Sequence, residues 1–230
     1  DSAALWQWSV TEIEHFWESL WRFCGVIGDG PGKTILKDRH LMPGAQFFPE
    51  ARLNFAENML RHAADPAWAV RDAIVFWGED KVKRRLSYGD LHDRVSRLVQ
   101  HLRALGLQPG DRVAGFVPNA PEAVIGAFAA AAIGCIWSSC SPDFGVQGVL
   151  DRFGQIEPKV LITADGYWYN DKQHDCLARV AEFTAQLPSL KEILVFPYLS
   201  GKPDLSRLPK AKLLPEVLAA QKGGPIAYER

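Results

Sequence analysis

The chain lacks an excess of charge of either sign: its 230 residues carry 26 Lys plus Arg against 27 Asp plus Glu, a net charge of −1 with a pI near 6.7. That balance provides no electrostatic footprint for nucleic acid or for an anionic membrane surface. Cysteine is sparse: Cys24, Cys135, Cys140 and Cys176 form no CxxC pair and have no histidine at zinc-ligand spacing, which argues against a zinc site. In a chain long enough to bury a core, such scattered thiols read as reduced, buried cysteines of a cytosolic protein. The longest run of small apolar residues, Ala120 to Ile133, is too short for a bilayer that needs about 20. No basic-then-apolar leader opens the chain, which argues against a secretory signal, and a start at Asp1 without Met points to a trimmed N-terminus.

Motifs of common chemistry are missing as well. No GxGxxG follows a strand, and GxSxG and HExxH do not occur. The segment Gly32-Lys33-Thr34 has neither the strand nor the glycine spacing of a phosphate-binding loop. The six histidines are dispersed. His92 and His101 read as solvated helix positions, and His174 as a group at a helix start.

What is present, 47% hydrophobic residues with 11% aromatics, belongs to a globular protein and excludes disorder. Ile13, Phe16, Trp17, Leu20, Trp21 and Cys24 fall on one face of a helix over about 11–24, with Ser9 and Glu12 as its capping box and Gly25 as its C-terminal stop. A Gly- and Pro-rich stretch, 28–49, reads as an extended linker, followed by a helix capped by Asn54 with Glu57. From Ala73 the pattern turns to short apolar runs alternating with helices. The strand 73–77 comes first, with a charged partner at 81–88. Strands follow at 112–117, 135–139, 159–164 and 192–196. Helices fill 90–105, capped by Ser87 or Asp90, then 119–133, capped by Asn119, then a segment ending at Ile156, and 174–186. One more short helix is expected at 215–221. This is an α/β fold: a parallel sheet flanked by helices on both faces, preceded by an N-terminal helical cap segment. The division expected is a cap and linker over 1–66 and an α/β domain over 67–230.

In such sheets ligands bind beyond the carboxyl ends of the strands, which points at the loops 118–121, 138–145 and 165–172. The loop WSSCSPDFG (137–145) exposes Ser138, Ser139 and Ser141 before a helix start. Amides there suit an anion, and Ser141 or Asp143 equally suits a simple helix cap. The stretch ADGYWYNDK (164–172) sets three aromatics beside Lys172, a combination that fits an adenine with a phosphate or a surface loop with packed rings.

Three stretches, LSYGDL (86–91), GDRVAGFVPNAPEAVIGAFAAAAIGCIWSSCSPDFG (110–145) and KVLITADGYWYNDKQHD (159–175), resemble the N-terminal part of the adenylate-forming acyl-CoA synthetases. WQWSVTEIEHFWESLW (6–21) and MPGAQFFPEARLNFAENML (42–60) are similar to the cap and entry segments of its acetyl and acetoacetyl branches, and WSSCSPDFG with GYWYN favours the acetoacetyl branch. The resemblance implies a ligase that joins acetoacetate to AMP with ATP and Mg²⁺ and then passes the acyl group to CoA, in the cytoplasm, without nucleic-acid or membrane partners. It also implies that Trp137, Ser138 and Ser139 occupy CoA-contacting positions held elsewhere in the family by Phe-Gly-Gly. Lys172 is implied to match one of two arginines on the CoA nucleotide phosphates, while the other falls near Tyr169 and has lost its charge. No catalytic residue and no metal ligand of the family has a match in this chain. Its phosphate loop, adenine and acyl sites and catalytic lysine would all lie beyond Arg230, in the remainder of the same polypeptide. The expectation is an N-terminal fragment of an enzyme about three times longer, inactive alone. A sister ligase for acetate or propionate, and a stand-alone CoA-binding or interaction module, are the alternatives.

Overall fold

The computed structural model describes residues 1–230, which divide into two compact units, Asp1–Asn58 with Arg230, and Met59–Glu229. In the first unit α1 (Ser2–Thr11) and α2 (Ile13–Phe23) meet at a break at Glu12 (φ −107°, ψ 53°). The helix expected over 11–24 is therefore preceded by another, which periodicity misses because its apolar residues lie all round it. Asp1 caps α1 by accepting from the Ala4 amide at 2.8 Å. Ser9 makes no capping box; it lies inside α1 and donates to the Trp6 carbonyl. Gly25 does stop α2, at φ 56°.

The stretch 28–49 folds back on itself instead of running as an extended linker. Leu36–Lys37 (β1) pairs antiparallel with Gln46–Phe47 (β2). The ring of Trp17 rests against Phe47, and that of Trp21 against Phe48. Glu50 accepts from the Lys33 amide and the Thr34 hydroxyl at 2.8 and 2.9 Å, so the Gly-Lys-Thr segment is tied to a carboxylate. Arg230 returns to this unit and forks onto Glu57 (2.7 and 3.0 Å), with Asp29 at 3.0 Å. Asn54 caps α3 (Phe55–Leu60) through the Glu57 amide, as expected.

The second unit begins with a short 3₁₀ turn at Arg61–Ala64 and α4 (Pro66–Ala69). A hairpin of β3 (Asp72–Gly78) and β4 (Val82–Ser87) follows, leading into α5 (Tyr88–Ala104). Then come β5 (Arg112–Phe116), α6 (Pro121–Ala132), β6 (Ile136–Cys140), α7 (Val146–Ile156) and β7 (Val160–Ala164). A second hairpin, β8 (Gly166–Tyr169) with β9 (Lys172–Asp175), precedes α8 (Leu177–Thr184), β10 (Glu192–Phe196), β11 (Ala211–Leu213) and α9 (Leu214–Ala219). The parallel sheet has five strands in the order β11-β10-β7-β5-β6. The 73–88 hairpin stands apart from it as its own antiparallel pair. The fifth place goes to β11, whose three residues are too few to give a pattern.

Every residue of β7 and β10 is buried, the signature of strands covered on both faces. On one face Leu161, Ile193 and Val195 join Phe116, Phe153 of α7 and Phe183 of α8, with the Phe183 ring set edge-on to Phe116 at 5.3 Å. On the other face Ile162 reaches α6, which offers Gly126 and alanines. Val95, Leu98, Val99 and Leu102 bury the inner side of α5. After α9 the chain crosses α5: Arg97 donates to the Gln221 carbonyl and Ser96 Oγ accepts from the Gly224 amide at 2.8 Å. This return strap had no sequence signal. No helix is long and apolar enough to cross a membrane.

The start of α5 is specified twice. Ser87 Oγ accepts from the Asp90 amide at 3.0 Å, while the Asp90 carboxylate accepts from the Ser87 amide at 3.1 Å. The Ser87 bonds hold the Asp90 carboxyl below the usual carboxylate range. Its contribution is therefore present above that range and is lost as pH falls through the lowered value. Ser87→Ala should destabilise the protein by about 1 kcal/mol, read as a lower urea midpoint. The gap from the parent should narrow in acid, and a pH-independent gap would exclude the Asp90 contribution.

Candidate functional site

Beyond the carboxyl ends of β5, β6 and β7 lies a cleft of about 460 Å³. All three loops that the sheet rule singled out contribute to it: Val117–Asn119, Ser139–Asp143 and Tyr167–Tyr169. The far side is built from Phe76–Glu79 at the β3–β4 turn and from Tyr198 after β10. Six aromatic residues, Phe76, Trp77, Tyr167, Trp168, Tyr169 and Tyr198, contribute to the lining, and Trp77 and Tyr169 remain 66% and 63% exposed. The Lys83 ammonium lies over the Trp77 ring, 4.6 Å from its centroid.

The walls are held by specific contacts. Both hairpins turn through two left-handed residues, Glu79 and Asp80 in one, Asn170 and Asp171 in the other (φ 48–59°). The Glu79 carboxylate accepts from the amides of Asn170 and Asp171 at 2.9 and 3.1 Å, and Lys81 Nζ meets Asp171 at 2.9 Å. The two turns are thereby docked to each other. The Asp171 carboxylate raises the Lys81 ammonium above its ordinary value. On the opposite side Asp143 accepts from Tyr167 Oη at 2.5 Å and from Ser141 Oγ at 2.7 Å. Those two hydroxyls hold the Asp143 carboxyl below the usual range. Burial, then the Asp143 carboxylate, pushes the Tyr167 hydroxyl up to about 12. The Arg179 guanidinium donates to the carbonyls of Pro142 (2.7 Å) and Phe144 (3.4 Å), pinning the same loop from α8.

The residues singled out by sequence are distributed as follows. Ser139 is exposed and lines the cleft. Trp137 is half-buried: a Cβ on Gly115 would fall 2.6 Å from its indole and one on Gly126 2.9 Å, so the ring fills a slot between β5 and α6. Ser138, between them on β6, faces the other side of the sheet by strand alternation. Lys172 opens β9, exposed, in register with Tyr169. The structure thus brings Ser139, Tyr169 and Trp168 to the cleft, sets Lys172 beside Tyr169, and uses Trp137 for packing.

Several local expectations are corrected. Asn119 does not cap α6, which starts from extended Ala120 with Pro121 in its first turn. Neither Ser141 nor Asp143 caps α7, whose N-cap is Gly145. The stretch 166–175 is a hairpin and α8 starts only at Leu177, so His174 is a strand residue whose ring stacks on Tyr167 at 5.1 Å. His101 is not solvated; its imidazole meets the buried Glu192, which also holds Lys212 at 2.5 Å. The cleft residues Phe76, Trp77, Glu79 and Tyr198 escaped the sequence reading, because nothing local says that the first hairpin leaves the sheet to close its end.

A larger cleft, about 630 Å³, lies on the other flank of the β8–β9 hairpin. Its most buried carboxylate, Asp165, already accepts from the amides of Tyr198, Leu199 and Ser200 at 2.7–3.0 Å, so it stabilises a turn. No group of three or more His, Cys, Asp or Glu side chains could hold a metal ion.

The chain belongs to the AMP-binding enzyme family, whose model matches residues 61–219. The preceding residues 2–59 match the model for the acetyl-coenzyme A synthetase N-terminus. Over 231 aligned residues, 100% of the chain, it is 46% identical to an acetoacetyl-coenzyme A synthetase of Rhizobium meliloti, covering 34% of that protein. It is 36% identical over 226 residues to the acetoacetyl-CoA synthetase of Danio rerio, covering 96% of the chain and 33% of the relative. Malonamoyl-CoA synthetase vrtB of Penicillium aethiopicum is also 36% identical, over 90% of the chain and 29% of its own length. Among solved structures, the acetoacetyl-CoA synthetase from Streptomyces lividans superposes with a TM-score of 0.86 at 39% identity, covering 97% of the chain and 33% of that structure. The chain spans about a third of the length of the relatives it matches.

Three of the four thiols are buried, and the fourth, Cys24, is exposed, which corrects the expectation that all are buried. Burial pushes Cys135 and Cys140 up to about 11 and Cys176 up to about 12, so all three are protonated at neutral pH and poor nucleophiles. The folded protein should give one rapid thiol with Ellman's reagent and four in guanidinium; more than one rapid thiol in the native state would contradict the buried assignment.

Proposed function

We propose that the chain is the N-terminal third of an acetoacetate–CoA ligase and that its aromatic cleft receives the nucleotide end of CoA. In the complete enzyme the acetoacetate carboxylate attacks the α-phosphorus of ATP, giving acetoacetyl-AMP and pyrophosphate. The CoA thiol then attacks the acyl carbonyl, releasing AMP and acetoacetyl-CoA. The identity to acetoacetyl-CoA synthetases over the full length of the chain, 46% in the bacterial relative, carries this reading. The cleft supports the CoA assignment: it lies at the carboxyl ends of the strands, with exposed rings for an adenine and Lys172 beside Tyr169 for a phosphate. Ser139 supplies a hydroxyl to its lining, Trp137 packs against Gly115 and Gly126 beside it, and Ser138 lies between the two on the same strand. We assign the ligase to the cytoplasm, in keeping with the buried thiols of Cys135, Cys140 and Cys176.

The 36% identity to a malonamoyl-CoA synthetase, the same as to the Danio rerio acetoacetyl-CoA synthetase, favours one second reading, a ligase for malonamate, which differs from acetoacetate in carrying an amino group in place of the terminal methyl. The complete polypeptide should catalyse acetoacetate-dependent ATP–pyrophosphate exchange, and the 230 residues alone should not. A complete polypeptide that activates malonamate, acetate or propionate but not acetoacetate would displace the first reading, and one that only binds CoA would make it a binding module. Lys172→Ala in the complete enzyme should raise KM for CoA by about 10-fold or more, the cost of one charge-assisted hydrogen bond, with pyrophosphate exchange nearly unchanged. Equal loss in both half-reactions would make Lys172 structural.

A further inference from the structure

The walls of the aromatic cleft come from segments distant in sequence, and their relative placement rests on few contacts. The loop after β6 carries Ser139 and Asp143; the β8–β9 hairpin carries Tyr167 and Tyr169. One side-chain hydrogen bond joins them directly, Tyr167 Oη to Asp143 Oδ1 at 2.5 Å. Tyr167 is only 7% exposed, and its ring is stacked on His174 of the neighbouring strand with 20° between the planes. Its hydroxyl is thus aimed by packing. Asp143 is oriented from its own side by Ser141 Oγ at 2.7 Å, and it is released from the local duty its residue type often performs, because α7 has no side-chain cap. Both partners line the cleft. A hydroxyl donating to a carboxylate is among the stronger neutral–ionic hydrogen bonds and fixes distance and direction together.

We propose that Tyr167 and Asp143 are positioning residues that hold the two walls of this cleft at the separation that fits the CoA nucleotide, so that they set CoA affinity without touching the reacting atoms. The assignment rests on the CoA reading of the cleft given above. The Arg179 contacts to Pro142 and Phe144 act on the loop backbone from α8, so loss of the Tyr167–Asp143 bond should loosen the walls without unfolding the loop.

The test uses the complete enzyme and its variants Tyr167→Phe, Asp143→Asn and the double variant. KM for CoA and kcat are measured for thioester formation, and acetoacetate-dependent ATP–pyrophosphate exchange is measured without CoA. Each single change should raise KM for CoA by about tenfold, with kcat at saturating CoA and the exchange rate within about twofold of the parent. The double variant should match the worse single one, because both remove the same bond. Unchanged KM for CoA, or KM, kcat and exchange falling together, would overturn the proposal. So would additive effects in the double variant. Should Tyr167→Phe fail to accumulate, Ser141→Ala, which frees Asp143 to rotate, should raise KM for CoA in the same selective way. If the parent forms no acetoacetyl-CoA, the ligase reading fails, and titration calorimetry with CoA then decides the positioning claim. Weaker binding by the variants than by the parent sustains it, and equal or absent binding refutes it.

Discussion

Everything else in the second unit hangs on the complete burial of β7 and β10, with every residue of both strands covered. Burying such strands requires apolar layers on both faces. These are supplied by Phe116, Phe153 and Phe183 on one side and by a helix that can come close enough on the other. That close approach is where sequence and packing meet: Gly126 and Gly115 leave the slot that the Trp137 indole occupies, and any Cβ there would overlap it. With the strands fixed in parallel, their carboxyl ends fall together, and the loops that follow have no choice but to share one rim.

The rim is then shaped by polar contacts between pieces that the sheet does not itself connect. Glu79 docks the turn of one hairpin onto the turn of the other, Asp165 gathers three amides at the neighbouring turn, and Asp143 meets Tyr167 across the cleft. Each is consumed by donors that hold backbone or wall, and each lies where a sheet of apolar strands gives way to irregular chain whose amides need partners. A ligand entering here meets aromatic faces already held in place, so little ordering remains to be done on binding.

Much of this was legible in the sequence. The alternation of apolar runs and helices placed β5, β6, β7 and β10 and the helix α5 with its Ser87 cap, because these elements are long, periodic and punctuated by glycines such as Gly106, which takes a left-handed φ of 80°. The three loops of the cleft followed from parallel topology alone. What failed to show has physical reasons. The first hairpin reads as an ordinary strand pair, and nothing in residues 72–87 says that it leaves the sheet. The hairpin at 166–175 hid behind a turn of Asn170-Asp171 without glycine. Side-chain direction within WSS was also invisible: strand alternation turns Ser138 away from the face that Trp137 and Ser139 share, and of the three Ser139 lines the cleft.

The family model places this chain among AMP-binding enzymes, and the third of its relatives' length that it spans holds a cleft of about 460 Å³ at the carboxyl ends of its parallel strands, which we propose receives CoA. The most direct measurement is amide hydrogen exchange on the complete polypeptide with and without CoA. Binding of the nucleotide in the aromatic cleft predicts slowed exchange in 76–81, 139–144 and 166–173, with the amino ends of the same strands unchanged. Slowed exchange confined to other segments, while these three remain as in the free protein, would contradict it.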